Sequence, residues 1–237
     1  MKGTLYLVPA PLGEGPLEAI LPQDVRTLAN RIDHWVVENA KTARRFLKLY
    51  GPERVIAELK MMELNEHSKE SELAALLAPL EAGHDVGVIS EAGCPGVADP
   101  GANLVRLAHR RGIRVVPLVG PSSILLALMA AGASGQRFRF HGYLPVEAGP
   151  RQERLRELER DSSKLDEAQL FIETPYRNDA MVDAILQACK PATQLTVARD
   201  LSCNDELIVS QTLSNWKSQA RPDLKKKPAM FVLYAGR

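Results

Sequence analysis

Ser90-Glu91-Ala92-Gly93-Cys94-Pro95-Gly96-Val97-Ala98-Asp99-Pro100-Gly101 follows the apolar run Asp85-Val86-Gly87-Val88-Ile89 and precedes an amphipathic stretch from Asn103 to Arg111. The β-branched run has the character of a buried parallel strand. Three glycines and two prolines then fall within twelve residues. Glycine permits close backbone approach, while proline fixes φ and removes an amide donor. A loop so constrained at the carboxyl end of a central strand is a pre-shaped rim, where open α/β sheets hold their ligands. A tight strand-to-helix connection would account for one such loop. Val119-Gly120-Pro121-Ser122-Ser123 makes a second, between a strand (Arg114 to Pro117) and a helix (Ile124 to Ala131). Two rims in successive units can converge on one ligand.

Outward from these loops the chain alternates strands and helices. Thr4 to Val8 reads as a strand that enters the Pro/Gly-rich turn Pro9 to Pro16. Helices are expected around Asp24 to Ile32 and over Thr42 to Tyr50, the latter stopped by Gly51-Pro52, with a short strand at His34 to Val37 between them. Arg54 to Leu64 fits strand and helix equally. Leu73, Leu76, Leu77 and Leu80 at helical spacing predict one helix over Ser71 to Ala82. After Ala133-Ser134-Gly135-Gln136, which has the composition of a linker, the pattern changes. Phe138 to Tyr143 alternates with period two. A charged helix (Arg151 to Arg160), the strand Leu170 to Ile172, a helix (Ala180 to Cys189) and strands at Leu195 to Arg199, Leu207 to Thr212 and Ala229 to Ala235 follow. The expectation is two α/β domains, 1–133 with a mostly parallel sheet and 134–237 with a mixed sheet having antiparallel edges, closing on a cofactor cleft between them.

Bulk composition narrows the function. Lys and Arg number 30 against 29 for Asp and Glu, so no global field steers the protein toward nucleic acid or an anionic membrane. Cys94, Cys189 and Cys203 show no Cys-x-x-Cys spacing, and the five histidines show no metal-ligand spacing. No apolar run is long enough to span a bilayer, and no leader pattern precedes the first strand. A reduced, cytoplasmic protein without membrane or metal is expected. A dinucleotide-binding reading of Gly13-x-Gly15 fails because Glu18 stands where the third glycine is needed.

Five segments in order resemble the class III S-adenosylmethionine methyltransferases, the tetrapyrrole methylase superfamily. They are Gly3 to Val8 with Pro11-Leu12-Gly13, Ser90 to Gly101, Gly120 to Ser123, Gly142-Tyr143-Leu144-Pro145, and Glu173-Thr174-Pro175-Tyr176-Arg177. The branch most similar is that of the small-subunit ribosomal RNA 2′-O-ribose methyltransferases. The resemblance implies S-adenosyl-L-methionine as methyl donor, S-adenosyl-L-homocysteine as product, a homodimer, and rRNA or the small subunit as substrate. It implies that Pro11 faces the cofactor, that Ala92, Gly93 and Cys94 hold it through main-chain groups with Val97 packing nearby, and that Ser122 and Ser123 touch it. Glu173 and Ala198 occupy positions that close over the adenine. The branch pattern is broken at Glu91, Cys94 and Ala98, where it has aspartate, threonine and serine. It is broken again at Glu38-Asn39 with Lys41 and near Asp200-Leu201-Ser202, and the C-terminal extension of many ribosomal RNA members is not seen. The cofactor loops are better kept than the substrate-facing positions. A methylase of tetrapyrroles or other small molecules therefore stays open as the alternative, as does a non-catalytic homologue that binds the donor.

Methyl transfer from a sulfonium disperses charge, so the protein contributes chiefly alignment. A ribose hydroxyl acceptor requires a general base. The carboxylate candidates are Glu173, Asp99 and Glu91, in that order. Asp99 serves equally as a cap for the Asn103 helix. Cys94 has no histidine placed to activate it and reads as a small packing residue. Arg177 and Arg199 fit either phosphate or interface acids as partners, with structural pairing the preferred reading for each. Lys41, Arg44, Arg45 and Lys48 share a helical face that fits either RNA phosphates or solvent, and Lys225-Lys226-Lys227 has the same two readings. His67 and His141 read as ordinary polar residues.

Overall fold

The computed structural model describes residues 1–51, 55–64 and 70–236 and divides into two compact units, Met1–Ser122 and Ser123–Arg237. His67 and Arg54 lie outside the described residues, as does Pro52. The first unit runs β1 (Thr4–Leu7), α1 (Leu17–Ile20), α2 (Gln23–Ala29), β2 (His34–Val37), α3 (Ala40–Tyr50), β3 (Lys60–Glu63), α4 (Glu70–Leu76), α5 (Ala78–Glu81), β4 (Val86–Ile89), α6 (Gly101–Arg110) and β5 (Arg114–Pro117). Its five strands are all parallel, in the order β3-β2-β4-β1-β5.

Alternate residues of each strand face opposite layers. Leu5, Val36, Val86 and Val88 pack with Leu73, Leu77, Leu80, Leu104 and Ala108. Val8, Trp35, Val37 and Ile89 pack with Ala29, Ala43, Phe46 and Leu47 on the other side. The connection leaving β1 thus passes over the α2/α3 face, and that leaving β4 over the α4–α6 face. Strands β1 and β4 are neighbours whose connections run to opposite faces, the arrangement at which open α/β sheets hold their ligands. Two local expectations change. The helix over Ser71 to Ala82 is two helices with a break at Leu77, because Pro79 lacks the amide and crowds the preceding turn. The ambiguous stretch before Leu64 resolves into a 3₁₀ turn (Ile56–Glu58) and the edge strand β3.

The second unit runs α7 (Ser123–Ala131), β6 (Phe138–Tyr143), α8 (Ala148–Leu165), β7 (Ala168–Glu173), α9 (Asn178–Ala188), β8 (Gln194–Arg199), β9 (Leu207–Thr212), α10 (Leu213–Ser218) and β10 (Ala229–Tyr234). Its sheet has the order β6-β7-β10-β8-β9. Only β6 and β7 pair in parallel, and the β7-β10, β10-β8 and β8-β9 pairs are antiparallel. The sheet is mixed as expected, but the antiparallel pairing runs through its centre and the parallel pair sits at an edge. Phe171 and Phe231 stand opposite each other with rings 5.5 Å apart and lead the layer shared with Leu155, Leu158, Met181 and Ile185.

The unit boundary falls at Ser122/Ser123, earlier than the 133/134 boundary drawn from composition. Helix α7 is apolar nearly all round and packs on β7, β8, β9 and β10, so it covers a sheet face of the second unit. The loop after it is a connection within that unit.

Candidate functional site

At the carboxyl ends of β1, β4 and β5 three loops are stitched together. Ala10 N–H donates to Gly93 O at 2.8 Å and Gly93 N–H to Ala10 O at 3.0 Å, an isolated antiparallel bridge beyond the parallel strands. Gly93 adopts φ +71°, and a Cβ there would stand 3.3 Å from Leu12 Cδ2 and 3.6 Å from Pro121 O. The Cys94 thiol lies 3.3 Å from Pro121 O, joining the second loop to the third. The third loop returns to the first, because a Cβ on Gly120 would overlap the Pro9 ring at 2.2 Å. Tyr50, buried on α3, donates its hydroxyl to Pro9 O at 2.6 Å. Burial pushes this phenol up from its ordinary pKa, so it stays a donor.

Pro11, Ala92, Gly93, Cys94, Val97 and Ser122 are therefore carried on three mutually fixed loops of the first unit. Pro11 and Gly93 are buried, Cys94 and Ser122 half-buried, and Ala92 and Val97 exposed on the rim. Burial also pushes the Cys94 thiol up, away from the thiolate that a nucleophile requires.

The carboxylates in this unit have distinct surroundings. Asp99 accepts from the Ser90 hydroxyl at 2.6 Å, from Gly96 N–H at 2.9 Å and from Gly101 N–H at 2.7 Å, which ties both ends of its loop to the first turn of α6. Glu91 is exposed and accepts only a long 3.4 Å bond from Thr42 Oγ1 among the hydrogen bonds seen for its carboxylate. Its amide donates to Glu38 Oε2 at 3.3 Å, and Asn39 caps α3 by accepting from Lys41 and Thr42 N–H. Lys41, Arg44, Arg45 and Lys48 are all exposed on this helix.

In the second unit Glu173 ends β7 with a side chain 1% exposed. Its Oε1 accepts from Arg177 Nη2 at 2.6 Å, Arg177 Nε at 3.0 Å and Thr174 N–H at 2.6 Å. Its Oε2 is buried without a hydrogen-bond partner among the described residues. Glu173 and Arg199 both stand opposite Ala229, while Ala198 stands opposite Met230, in the row of Ile172. The side chains of Glu173 and Ala198 thus leave the sheet on opposite faces. Ala198 is buried on the face that α7, beginning at Ser123, covers. Arg199 is bound to Asp200 at 2.7 Å, and Lys227 to Asp200 at 3.2 Å. The Glu173–Arg177 pair, the caging of Asp99 and the thiol-to-carbonyl contact of Cys94 are not visible in the sequence. A Glu-x-x-x-Arg spacing was the one available cue for the first. No cluster of three or more His, Cys, Asp or Glu residues able to hold a metal occurs among the described residues, and no helix among them is long and apolar enough to cross a membrane.

The description Tetrapyrrole (Corrin/Porphyrin) Methylases matches residues 4–216. The chain belongs to that family. As such it is a methyltransferase, in an S-adenosylmethionine-dependent class. Among curated proteins it is similar to the Ribosomal RNA small subunit methyltransferase I of Pseudomonas aeruginosa, at 32% identity over 99% of this chain and 79% of that one. The protein of the same name from Mesorhizobium japonicum is 35% identical over 90% of this chain and 68% of its own. Among solved structures, the cobalamin biosynthetic enzyme cobalt precorrin-4 methyltransferase, CbiF, superposes with a TM-score of 0.63 at 17% identity, covering 98% of this chain and 94% of that one. This tetrapyrrole methylase thus has the family's α/β architecture, a five-stranded parallel sheet and a mixed sheet.

Proposed function

We propose that this tetrapyrrole methylase transfers a methyl group from S-adenosyl-L-methionine to RNA of the small ribosomal subunit, at a ribose 2′-hydroxyl, and releases S-adenosyl-L-homocysteine. The observation that carries the acceptor is the 32% identity, running over 99% of the chain, to a relative named as a small-subunit ribosomal RNA methyltransferase. The donor, when bound, supplies an electrophilic methyl on sulfur. Two features of the chain fit it. The first two loops, joined by the Ala10–Gly93 bridge, and the third loop beside them offer main-chain groups of Ala92 and Cys94 for polar recognition, with Gly93 setting the turn, Ser122 adjoining it, and Val97 and Pro11 as apolar contacts. In the second unit the unpartnered Glu173 Oε2 fits an N–H donor such as an exocyclic adenine amine, and Ser123 supplies a small surface, whereas Ala198, buried beneath α7 on the other face of the sheet, does not join Glu173.

For the proton of the acceptor hydroxyl, Glu91 is the better base. Asp99 would have to give up the bonds that shape its loop, and Glu173 is buried against Arg177. Glu91 is exposed with its carboxylate nearly uncommitted. The protein would work as a cytoplasmic homodimer. Methyl transfer from labelled donor to small subunits of a strain lacking this modification tests the reading, with a porphyrinoid panel in parallel. Label in the small-subunit RNA is the expected result. Label on a porphyrinoid and none on the subunit overturns it.

A further inference from the structure

A hollow of about 1030 Å³ in the second unit lies between α8 and the segment Ala188 to Gln194 and is also lined by Tyr234, Ala235 and Gly236. None of the residues assigned to methyl transfer lines it. Arg156, Arg160 and Lys164 line one wall at i, i+4 and i+8 of α8, and Lys190 faces them from the other. All four are exposed, and none makes an ion pair among the described residues. The acids nearby are committed. Glu159, the one acid in the lining, is buried and its Oε1 accepts from Lys190 N–H at 2.7 Å and from the Thr193 hydroxyl. Asp166 accepts the Tyr234 hydroxyl, and Glu157 pairs with Arg154 at 2.9 Å. Glu153 and Asp161, also on α8, lie outside the lining.

Unpaired cations around an open groove hold a local positive field in a chain whose net charge is only +1. Their spacing indicates the shape of the anion. Successive members on α8 are about 6 Å apart along the helix axis, from a rise of about 1.5 Å per residue. Cations strung out in this way do not converge on one phosphate as a fork would, but they match a chain of phosphates. We propose that this groove binds the phosphate backbone of a single-stranded RNA segment flanking the methylated nucleotide. The inference deepens the RNA reading of the acceptor and rests on it. The groove contributes to affinity and register, not to the choice of base.

The test uses full-length protein and a fluorescein-labelled oligouridylate of about twenty nucleotides, titrated by anisotropy across a range of salt. The triple variant Arg156→Gln, Arg160→Gln, Lys164→Gln is compared with wild type. A control variant carries the same charge loss at exposed sites elsewhere (Lys2→Gln, Arg110→Gln, Lys217→Gln), and thermal unfolding checks that each variant folds. The groove variant should bind on the order of tenfold more weakly at low salt, with a log–log salt slope shallower by about 2, at about 0.7 for each single-strand phosphate no longer neutralised. An unchanged slope, an equal loss in the control variant, or wild-type binding of polyglutamate as tight as of RNA overturns the proposal. Methylation of small subunits separates this from the function itself. If wild type methylates them and the groove variant keeps the same KM and oligonucleotide affinity, the groove fails and the acceptor stands. If wild type methylates no ribosomal RNA while the groove still governs RNA affinity, the acceptor fails and the groove stands.

Discussion

Ala10 and Gly93 exchange both of their backbone hydrogen bonds, at 2.8 and 3.0 Å, although neither belongs to a strand of the parallel sheet. The bridge fixes the first two loops at the carboxyl ends of β1 and β4, and it needs the left-handed backbone of Gly93. Gly93→Ala introduces a Cβ at φ +71°, 3.3 Å from Leu12 Cδ2. The expected loss is about 1–2 kcal/mol of stability, with weaker binding of S-adenosyl-L-homocysteine. Denaturant titration and calorimetry measure the two effects.

Asp99 and Glu91 separate under substitution. Asp99→Asn keeps a side chain able to accept from Gly96 and Gly101 N–H, so turnover should persist, while Asp99→Ala should lower stability by about 1.5–3 kcal/mol for a lost charged hydrogen bond. Glu91→Gln should leave stability unchanged and lower kcat by about 10²-fold or more. Loss of turnover in Asp99→Asn with a normal unfolding midpoint would exchange the two roles.

The Glu173–Arg177 pair predicts an asymmetry between single and double variants. Arg177→Ala leaves a carboxylate buried without its cation and should cost about 3–5 kcal/mol. Combining it with Glu173→Gln should restore much of the loss, since a neutral amide is easier to bury. A double-variant cycle by denaturant unfolding reads the difference directly.

His141 links stability to pH. Burial holds its imidazole below the ordinary value of 6.5, opposed by the Gln169 hydrogen bond and by Glu167 and assisted by Arg154 and Arg139. Its Nε2 lies 2.7 Å from Gln169 Oε1, and Arg154 donates to Nδ1 at 3.1 Å, so the neutral ring has a fixed tautomer. With the folded pKa depressed, the unfolded chain binds the proton first, and stability is lost as pH falls below about 6.5. His34, lowered by burial and by Lys60 and His84, adds in the same direction. His141→Gln should flatten part of the slope of unfolding midpoint against pH between about 7.5 and 5.5.

Much of the first unit was legible because its signals are local. Apolar runs bounded by Gly and Pro give β1, β4 and β5, and their loops carry the resemblance. Which loop glycines are most constrained became visible only in the structure, where Gly120 abuts the Pro9 ring and Gly93 takes a left-handed backbone. Pairing direction in the second sheet was less legible. Strands β7, β8 and β9 are separated by turns and helices that say nothing of where β10 inserts, and that placement decides the antiparallel centre. Helix α10 was missed because it is a single capped turn and a half, begun by the Thr212 side chain accepting from Asn215 N–H. The roles of Asp99 and Glu173 were ranked without their partners. A carboxylate's availability depends on the groups that already hold it, and Ser90 and Gly96 reach Asp99 only once the loop has closed.

Strand β10 lies in the middle of the second sheet, though it is the last strand of that unit to be synthesised. Until it leaves the ribosome, β7 and β8 present open edges toward each other, and the layer under Phe231 has no centre. The first unit, finished by residue 117, can fold while translation continues. The second unit therefore cannot complete its central antiparallel pairing until β10 has emerged, well after the first unit's strands are all available.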